Sequence, residues 1–309
     1  MKRSPRSLRN SLPDADERKF PRDRYAKVDG FRLRYWVRGH GENVLLLPAL
    51  GGSVEDWLGA FERLDDHFRL WALELPGLGR SDKPFRGYSV DFFVHVALGF
   101  MSLQEIERAH VVGLSMGGGI GIALTLQMPV RVQRLVLVSS ALLGRRLHPF
   151  LHLCTLPLLG ELLLCPTPKV VKRYISRCFA DPSRAPAEWI SAHVELASLP
   201  GAQQAFLAIL RSANGLLGTS RQELRPILSA LPRISAKTLI ICGEQDNFIP
   251  TCYARRAAAL IPNAQYVSFP DCGHAVPIER PDLFYPLVSS FLKEGATENL
   301  PQGQLGDDF

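Results

Sequence analysis

Short apolar runs recur along the chain, separated by stretches of helix length: VLLLP (44–48), FRLWALEL (68–75), AHVVGL (109–114), RLVLVSS (134–140), KTLIICG (237–243) and AQYVSFP (264–270). Runs of this kind, without strict alternation of polar and apolar residues, belong to parallel strands buried on both faces. The pattern therefore predicts an α/β fold with a mostly parallel sheet. Two earlier runs, RYAKVDG and FRLRYWVRG, meet at Asp29-Gly30, a strong hairpin signal. The sheet is expected to begin antiparallel and continue parallel.

The alternation is suspended between residues 141 and about 231. The first part of this stretch, ALLGRRLHPFLHLCTLPLLGELLLC (141–165), holds eleven leucines but is cut by Arg145, Arg146, His148, Pro149, Pro157 and Glu161. Short amphipathic helices are expected there, and longer ones at 187–199 and 203–217, where helical periodicity is sustained. No clear strand is visible in the stretch, which reads as an insertion.

Composition narrows the function classes. With 46% hydrophobic and 21% charged residues, the 309-residue chain is globular rather than disordered. The formal charge is +6, but residues 1–24 hold eight basic side chains against four acids, so the remainder carries only a small excess. Nucleic-acid binding, which needs a concentrated cationic face, is not expected. A basic tail beside an apolar insertion suits an anionic membrane surface, and is equally well explained as a solvated tail. Six dispersed cysteines without a Cys-x-x-Cys pair predict neither a disulfide scaffold nor a zinc site. No secretory h-region follows the basic N-terminus, and no stretch has the length of a membrane span, which predicts a cytoplasmic protein. No metal cluster or dinucleotide fingerprint is present, so no cofactor is expected.

The chemistry concentrates at three loops. After the run AHVV comes Gly113-Leu114-Ser115-Met116-Gly117, followed by the apolar helix pattern IGIALTLQM. Gly-x-Ser-x-Gly between strand and helix is a nucleophile elbow: small residues two positions either side of the serine permit a sharp turn that stands Ser115 exposed above the sheet. Serine is a weak nucleophile and needs a base that a carboxylate orients. Of eight histidines, His274 stands out, in the loop Asp271-Cys272-Gly273-His274-Ala275-Val276-Pro277 after the last apolar run. The acid is expected in Gly243-Glu244-Gln245-Asp246-Asn247, directly after TLIIC. Asp246, Glu244 and, in the histidine's own loop, Asp271 are the candidates, and the residues alone leave the choice among them open.

These motifs, with LELPGLGRSDKP (73–84), GEQDNFIP and DCGHAVPIERPD, resemble the α/β-hydrolase superfamily of the kind with a helical cap, over about residues 24–294. The resemblance implies an eight-stranded, mostly parallel sheet with helices on both faces. Residues 1–23 would form a basic tail, 24–140 and 232–294 the core, 141–231 the cap and 295–309 a polar C-terminal tail. It implies catalysis by Ser115, Asp246 and His274, with an oxyanion hole of the Leu50 and Met116 backbone amides. One place departs from the family. Where a His-Gly pair is usual, this chain has Pro48-Ala49-Leu50-Gly51-Gly52, which puts loop geometry in question because Ala49 cannot take glycine-only φ values cheaply.

The resemblance points to a serine hydrolase acting on a carboxylic ester or related acyl bond of a small lipophilic substrate. A carbon–carbon bond hydrolase of the vinylogous diketone type shares the triad and cap, but such enzymes carry Asn and Trp where this chain has Leu114 and Ala275. Ser115 excludes the Asp-nucleophile dehalogenases and epoxide hydrolases. Haloperoxidase or perhydrolase chemistry uses the same triad, and a ligand receptor of the same fold is the non-enzymatic alternative.

Overall fold

A computed structural model describes residues 20–293, so most of both predicted tails lies outside the described residues. The strands are β1 (Arg24–Val28), β2 (Phe31–Arg38), β3 (Glu42–Leu47), β4 (Phe68–Leu73), β5 (Ala109–Leu114), β6 (Val132–Val138), the two-residue β7 (Asn214–Gly215) and β8 (Gly218–Thr219), β9 (Lys237–Gly243) and β10 (Ala264–Phe269). Eight of them form one sheet in the order β1-β2-β4-β3-β5-β6-β9-β10. β2 runs antiparallel to β1 and β4, and every other neighbouring pair is parallel. The first hairpin closes on Asp29 and Gly30, whose φ values of 49° and 89° suit the primed turn that matches strand twist.

Double-sided burial explains the unbroken apolar runs. In β3, Leu45 and Leu47 pack into one core layer while Val44 and Leu46 pack into the other; in β9, Ile240 and Cys242 face the first layer and Leu239 and Ile241 the second. After β3 comes a 3₁₀ turn (Val54–Trp57) and α1 (Leu58–Arg63); α2 (Val90–Leu103) precedes β5 and α3 (Met116–Gln127) follows it. The insertion holds α4 (Pro149–Cys154), α5 (Leu159–Leu163), α6 (Pro168–Ser176), α7 (Ala187–Ala197), α8 (Ala202–Ala213) and α9 (Arg221–Ala230), and the C-terminal part holds α10 (Cys252–Leu260), α11 (Val276–Glu279) and α12 (Pro281–Lys293). α1 and α12 supply residues to the second layer, and α2, α3 and α10 to the first. α3 is apolar all round, as befits a helix covered on every side.

The insertion differs from the sequence reading in two ways. It contains the small β7/β8 hairpin, where no strand was visible. Its last helix, α9, packs against α3, and Ile227 joins the first core layer, so this helix lies with the sheet rather than over it. Periodicity predicts that a segment is helical but carries no information about the layer to which it belongs.

The basic tail also ends earlier than composition indicated. Asp23, assigned to the tail, binds both Arg34 (2.6 Å) and the indole Nε1 of Trp36 (2.8 Å). Arg34 is wholly buried and is also gripped by Glu55 (2.9 Å) and Glu74 (2.8 Å). Burial pushes the Glu74 carboxyl up to about 7 despite the pull of Arg34. Glu74 further accepts the main-chain N–H groups of Arg80 (2.6 Å) and Ser81 (3.2 Å), which pins the loop carrying LELPGLGRSDKP. Replacing Arg34 alone strands buried carboxylates without their counter-charge, so Arg34→Met is expected to cost about 3–5 kcal/mol. Urea unfolding of the variant checks this as a lower midpoint at unchanged slope.

Candidate active site

Ser115 occupies the single residue between the end of β5 and the start of α3, with φ 54° and ψ −111°. Such a backbone is costly for a non-glycine residue and persists only where its surroundings over-determine it. Here they do. The Ser115 N–H donates to the Val138 carbonyl (2.8 Å), while the Ser115 carbonyl accepts from Gly118 (3.0 Å) and Ala141 (2.9 Å). Gly117 is needed for packing: a Cβ there would lie 2.2 Å from the Leu47 carbonyl oxygen. That close approach sets the first turn of α3, with Met116, directly against the loop that leaves β3. The serine is half-buried at a cavity wall rather than exposed as the turn motif suggested.

His274 and Asp246 stand beside the strand ends of β10 and β9. The imidazole Nδ1 lies 2.8 Å from Asp246 Oδ2, while Asp246 Oδ1 accepts the N–H groups of Phe248 (2.8 Å) and Ile249 (3.0 Å). With Nδ1 committed to the carboxylate, Nε2 is the nitrogen left for a serine hydroxyl. The two loops are joined as well: Gln245 N–H donates to the Cys272 carbonyl (2.9 Å), and Cys272 N–H donates to Gln245 Oε1 (3.0 Å). Neither rival acid reaches the ring. Glu244 is exposed and accepts from Ser268 Oγ (3.1 Å), and Asp271 takes the turn's positive φ of 48° while its carbonyl accepts from Arg184 (2.8 Å).

A cavity of about 150 Å³ is lined by Ser115, His274, Leu50 and Met116 among others; Asp246, bonded to the His274 ring, does not line it. The unusual Pro48-Ala49 pair does no harm to the loop, because the left-handed residue there is Gly51 (φ 75°) and not Ala49. Gly52 N–H closes the turn on the Ala49 carbonyl at 3.0 Å. The Cys178 thiol also lines the cavity, but burial, and next the charge of Asp246, pushes its pKa far up, so it is no competing thiolate. Among the described residues no cluster of His, Cys, Asp or Glu is placed to hold a metal, and no helix is long and apolar enough to cross a membrane.

Two buried acids that sequence reasoning passed over tie the site to the insertion. Glu279 accepts from Gly273 N–H (2.7 Å) beside His274 and from Ala180 (3.1 Å) and Asp181 (2.8 Å) after α6, fastening the histidine loop to the helices above it. Asp56 accepts from Ser53 N–H (3.2 Å), Trp189 Nε1 (3.0 Å) and His193 Nε2 (3.1 Å). The Ser-x-x-Asp spacing at 53–56, a helix-cap pattern, was the one available sign of Asp56; Glu279 left none.

His193 Nδ1 faces the Trp189 carbonyl at 2.9 Å, and a carbonyl and a carboxylate both only accept, so the ring is held doubly protonated. Burial opposes that charge, but the hydrogen bond and charge of Asp56 outweigh it and raise the His193 pKa. A raised folded pKa stabilises fully below the unfolded imidazole value of about 6.5 and is lost as pH rises through the folded value. The stability gap between wild type and His193→Gln is therefore expected to be largest in mild acid and to shrink towards alkaline pH, as read by thermal unfolding across that range.

Residues 44–287 match the model of the alpha/beta hydrolase family. The chain is 30% identical over 269 residues to the dihydrolipoyllysine-residue acetyltransferase component of the acetoin cleaving system of Cupriavidus necator, covering 87% of this chain and 68% of that protein. It is 30% identical over 275 residues to 2-hydroxymuconate semialdehyde hydrolase of Pseudomonas putida, covering 86% of this chain and 92% of the relative. A meta-cleavage product hydrolase from Pseudomonas fluorescens IP01 superposes with a TM-score of 0.75 at 27% identity, over 88% of this chain and 98% of that one. With the sheet order, the serine turn between β5 and α3 and a family match over most of its length, the chain belongs to the alpha/beta hydrolase family.

Proposed function

We propose that the protein is a serine hydrolase that cleaves a carboxylic ester, or a related acyl bond, of a small uncharged lipophilic substrate. Ser115 attacks the carbonyl carbon while His274 takes its proton; Asp246 holds the resulting imidazolium; the Leu50 and Met116 amides receive the oxyanion. The proton then returns to the departing alcohol, and water activated by the same histidine releases the acid from the acyl-enzyme.

The observation that carries the choice of substrate is the lining of the cavity. It is mostly apolar and contains neither lysine nor arginine. Its imidazolium, His193, has both ring nitrogens engaged. Lys83 reaches only a smaller adjoining cavity, and its ammonium already donates to the Gly79 (2.6 Å) and Ser81 (3.0 Å) carbonyls. A muconate-type substrate, such as the name of the Pseudomonas putida relative carries, is a carboxylate and would enter without a free counter-charge. The likeness to meta-cleavage product hydrolases favours carbon–carbon bond hydrolysis as the second reading.

A panel of p-nitrophenyl esters of rising chain length, run beside a 2-hydroxy-6-oxo-dienoate, separates the two. Turnover of the neutral esters with little or none of the dienoate is expected; a dienoate preference of tenfold or more in kcat/KM would transfer the assignment to carbon–carbon cleavage.

A further inference from the structure

We propose that the outer face of α4, α5 and α6, with the β7/β8 turn beside it, docks on the surface of an anionic phospholipid bilayer. This goes beyond the choice of bond cleaved, since it concerns how the protein is placed.

Large apolar side chains are concentrated there. Leu153 on α4, Leu158 before α5, Leu162 on α5, and Leu216 and Leu217 in the β7/β8 turn are all exposed; Leu158, Leu162 and Leu217 are 84%, 73% and 81% accessible. They lie on neighbouring elements. α4 packs on α5, and His152 Nδ1 lies 3.2 Å from the Gly215 carbonyl, which joins α4 to the turn carrying Leu216 and Leu217. Buried partners have not claimed these leucines, whereas Leu147 and Leu151 on the inner side line the cavity.

The charge on the same stretch has one sign. Residues 141–177 hold six basic side chains, Arg145, Arg146, Lys169, Lys172, Arg173 and Arg177, against the single acid Glu161. That acid is taken up by Arg211, which binds it through two nitrogens at 2.8 and 3.0 Å. Lys169, Lys172 and Arg173 project outward from α6, whose Val171 and Ile175 face inward. α6 adjoins α4, because the Arg177 guanidinium lies 4.9 Å from the Phe150 ring centre.

Exposed leucines beside a helix that presents cations, with the single acid of residues 141–177 already paired, are what an interfacial surface presents: the apolar tips enter the acyl boundary while the cations meet anionic headgroups. A protein partner of matching shape would also cover leucines, but the one-signed charge favours a surface that is itself uniformly anionic. Two of the helices that would rest on the bilayer also wall the Ser115 cavity, α4 through Leu151 and α6 through Tyr174 and Ile175, which gives a lipophilic substrate a short path from the bilayer to the site.

The test is sedimentation of the full-length protein with sucrose-loaded vesicles, either pure phosphatidylcholine or 7:3 phosphatidylcholine to phosphatidylglycerol. Binding to the anionic vesicles about tenfold or more stronger than to the neutral ones, and falling as salt is raised, is expected. Leu158→Ser/Leu162→Ser/Leu217→Ser should lower binding to the anionic vesicles about tenfold. Lys169→Glu/Lys172→Glu/Arg173→Glu should abolish the anionic preference. Both sets should retain the circular dichroism spectrum of the wild type and turnover of a dissolved ester, because none of these residues lines the cavity. Absence of wild-type binding to anionic vesicles would overturn the proposal, as would binding that survives both sets of changes and so resides elsewhere in the chain. A wild-type dimer that the leucine changes convert to monomer would make the face a contact between copies, and would overturn it too.

Discussion

Ser115→Ala is expected to lower kcat by about 10⁴ to 10⁶ while the protein stays folded. Four main-chain hydrogen bonds hold residue 115 in its strained conformation, and all four use atoms that alanine retains. The Cβ is retained as well, so the variant loses only the hydroxyl that would form the acyl-enzyme. Labelling with a fluorophosphonate provides the matching readout: the wild type should be modified at Ser115 and the variant should not, with melting temperatures that agree within a few degrees. A variant that kept most of its esterase activity would remove Ser115 from the reaction and, with it, the hydrolase mechanism proposed for this chain.

Asp246→Asn is expected to cost about 10³ to 10⁴ in kcat. The asparagine carbonyl can still accept from the Phe248 and Ile249 N–H groups, so the loop keeps its shape. Its amide nitrogen then faces His274 Nδ1, where the carboxylate oxygen stood at 2.8 Å. An N–H pointing at Nδ1 makes that nitrogen the acceptor and sends the ring proton to Nε2, the wrong tautomer for a base. It also removes the negative charge that stabilises the imidazolium. Glu244→Gln and Asp271→Asn should change kcat little, because one carboxylate is occupied with Ser268 on the surface and the other residue contributes its carbonyl and its turn. Equal losses at Asp246 and Glu244 would overturn the assignment of the acid.

Much of the fold was legible because double burial leaves a local mark. Each strand of the parallel half needs apolar residues on both faces, and such runs stand out against helical stretches without knowledge of their neighbours. The Ser115 turn was legible for a similar reason: glycines at 113 and 117 are required where backbone meets backbone, and that requirement is written at fixed spacing. Asp246 was less so. Three carboxylates lie near the right strand ends, and only resemblance favoured one; the structure separates them by showing which oxygen meets the imidazole. The geometry of the loop at 48–52 was left open, because sequence cannot say that Gly51 rather than Ala49 takes the left-handed conformation.

By itself, then, the sequence determined the alternation of strands and helices, the chain order of Ser115, Asp246 and His274, and the presence of a leucine-rich insertion, since each depends on residues close together in the chain. Only the tertiary structure decided which charges are buried together. Asp23 and Arg34 meet beneath the first strands, Asp56 reaches Trp189 across 133 positions, and Glu279 reaches Ala180 across 99. An acid in a sequence looks the same whether it will be solvated or buried, and its interaction energy depends on distance and desolvation, which exist only once distant segments have packed. The same holds for the leucines of the insertion: eleven lie within 141–165, and packing alone sorted those that wall the cavity from those left at the surface.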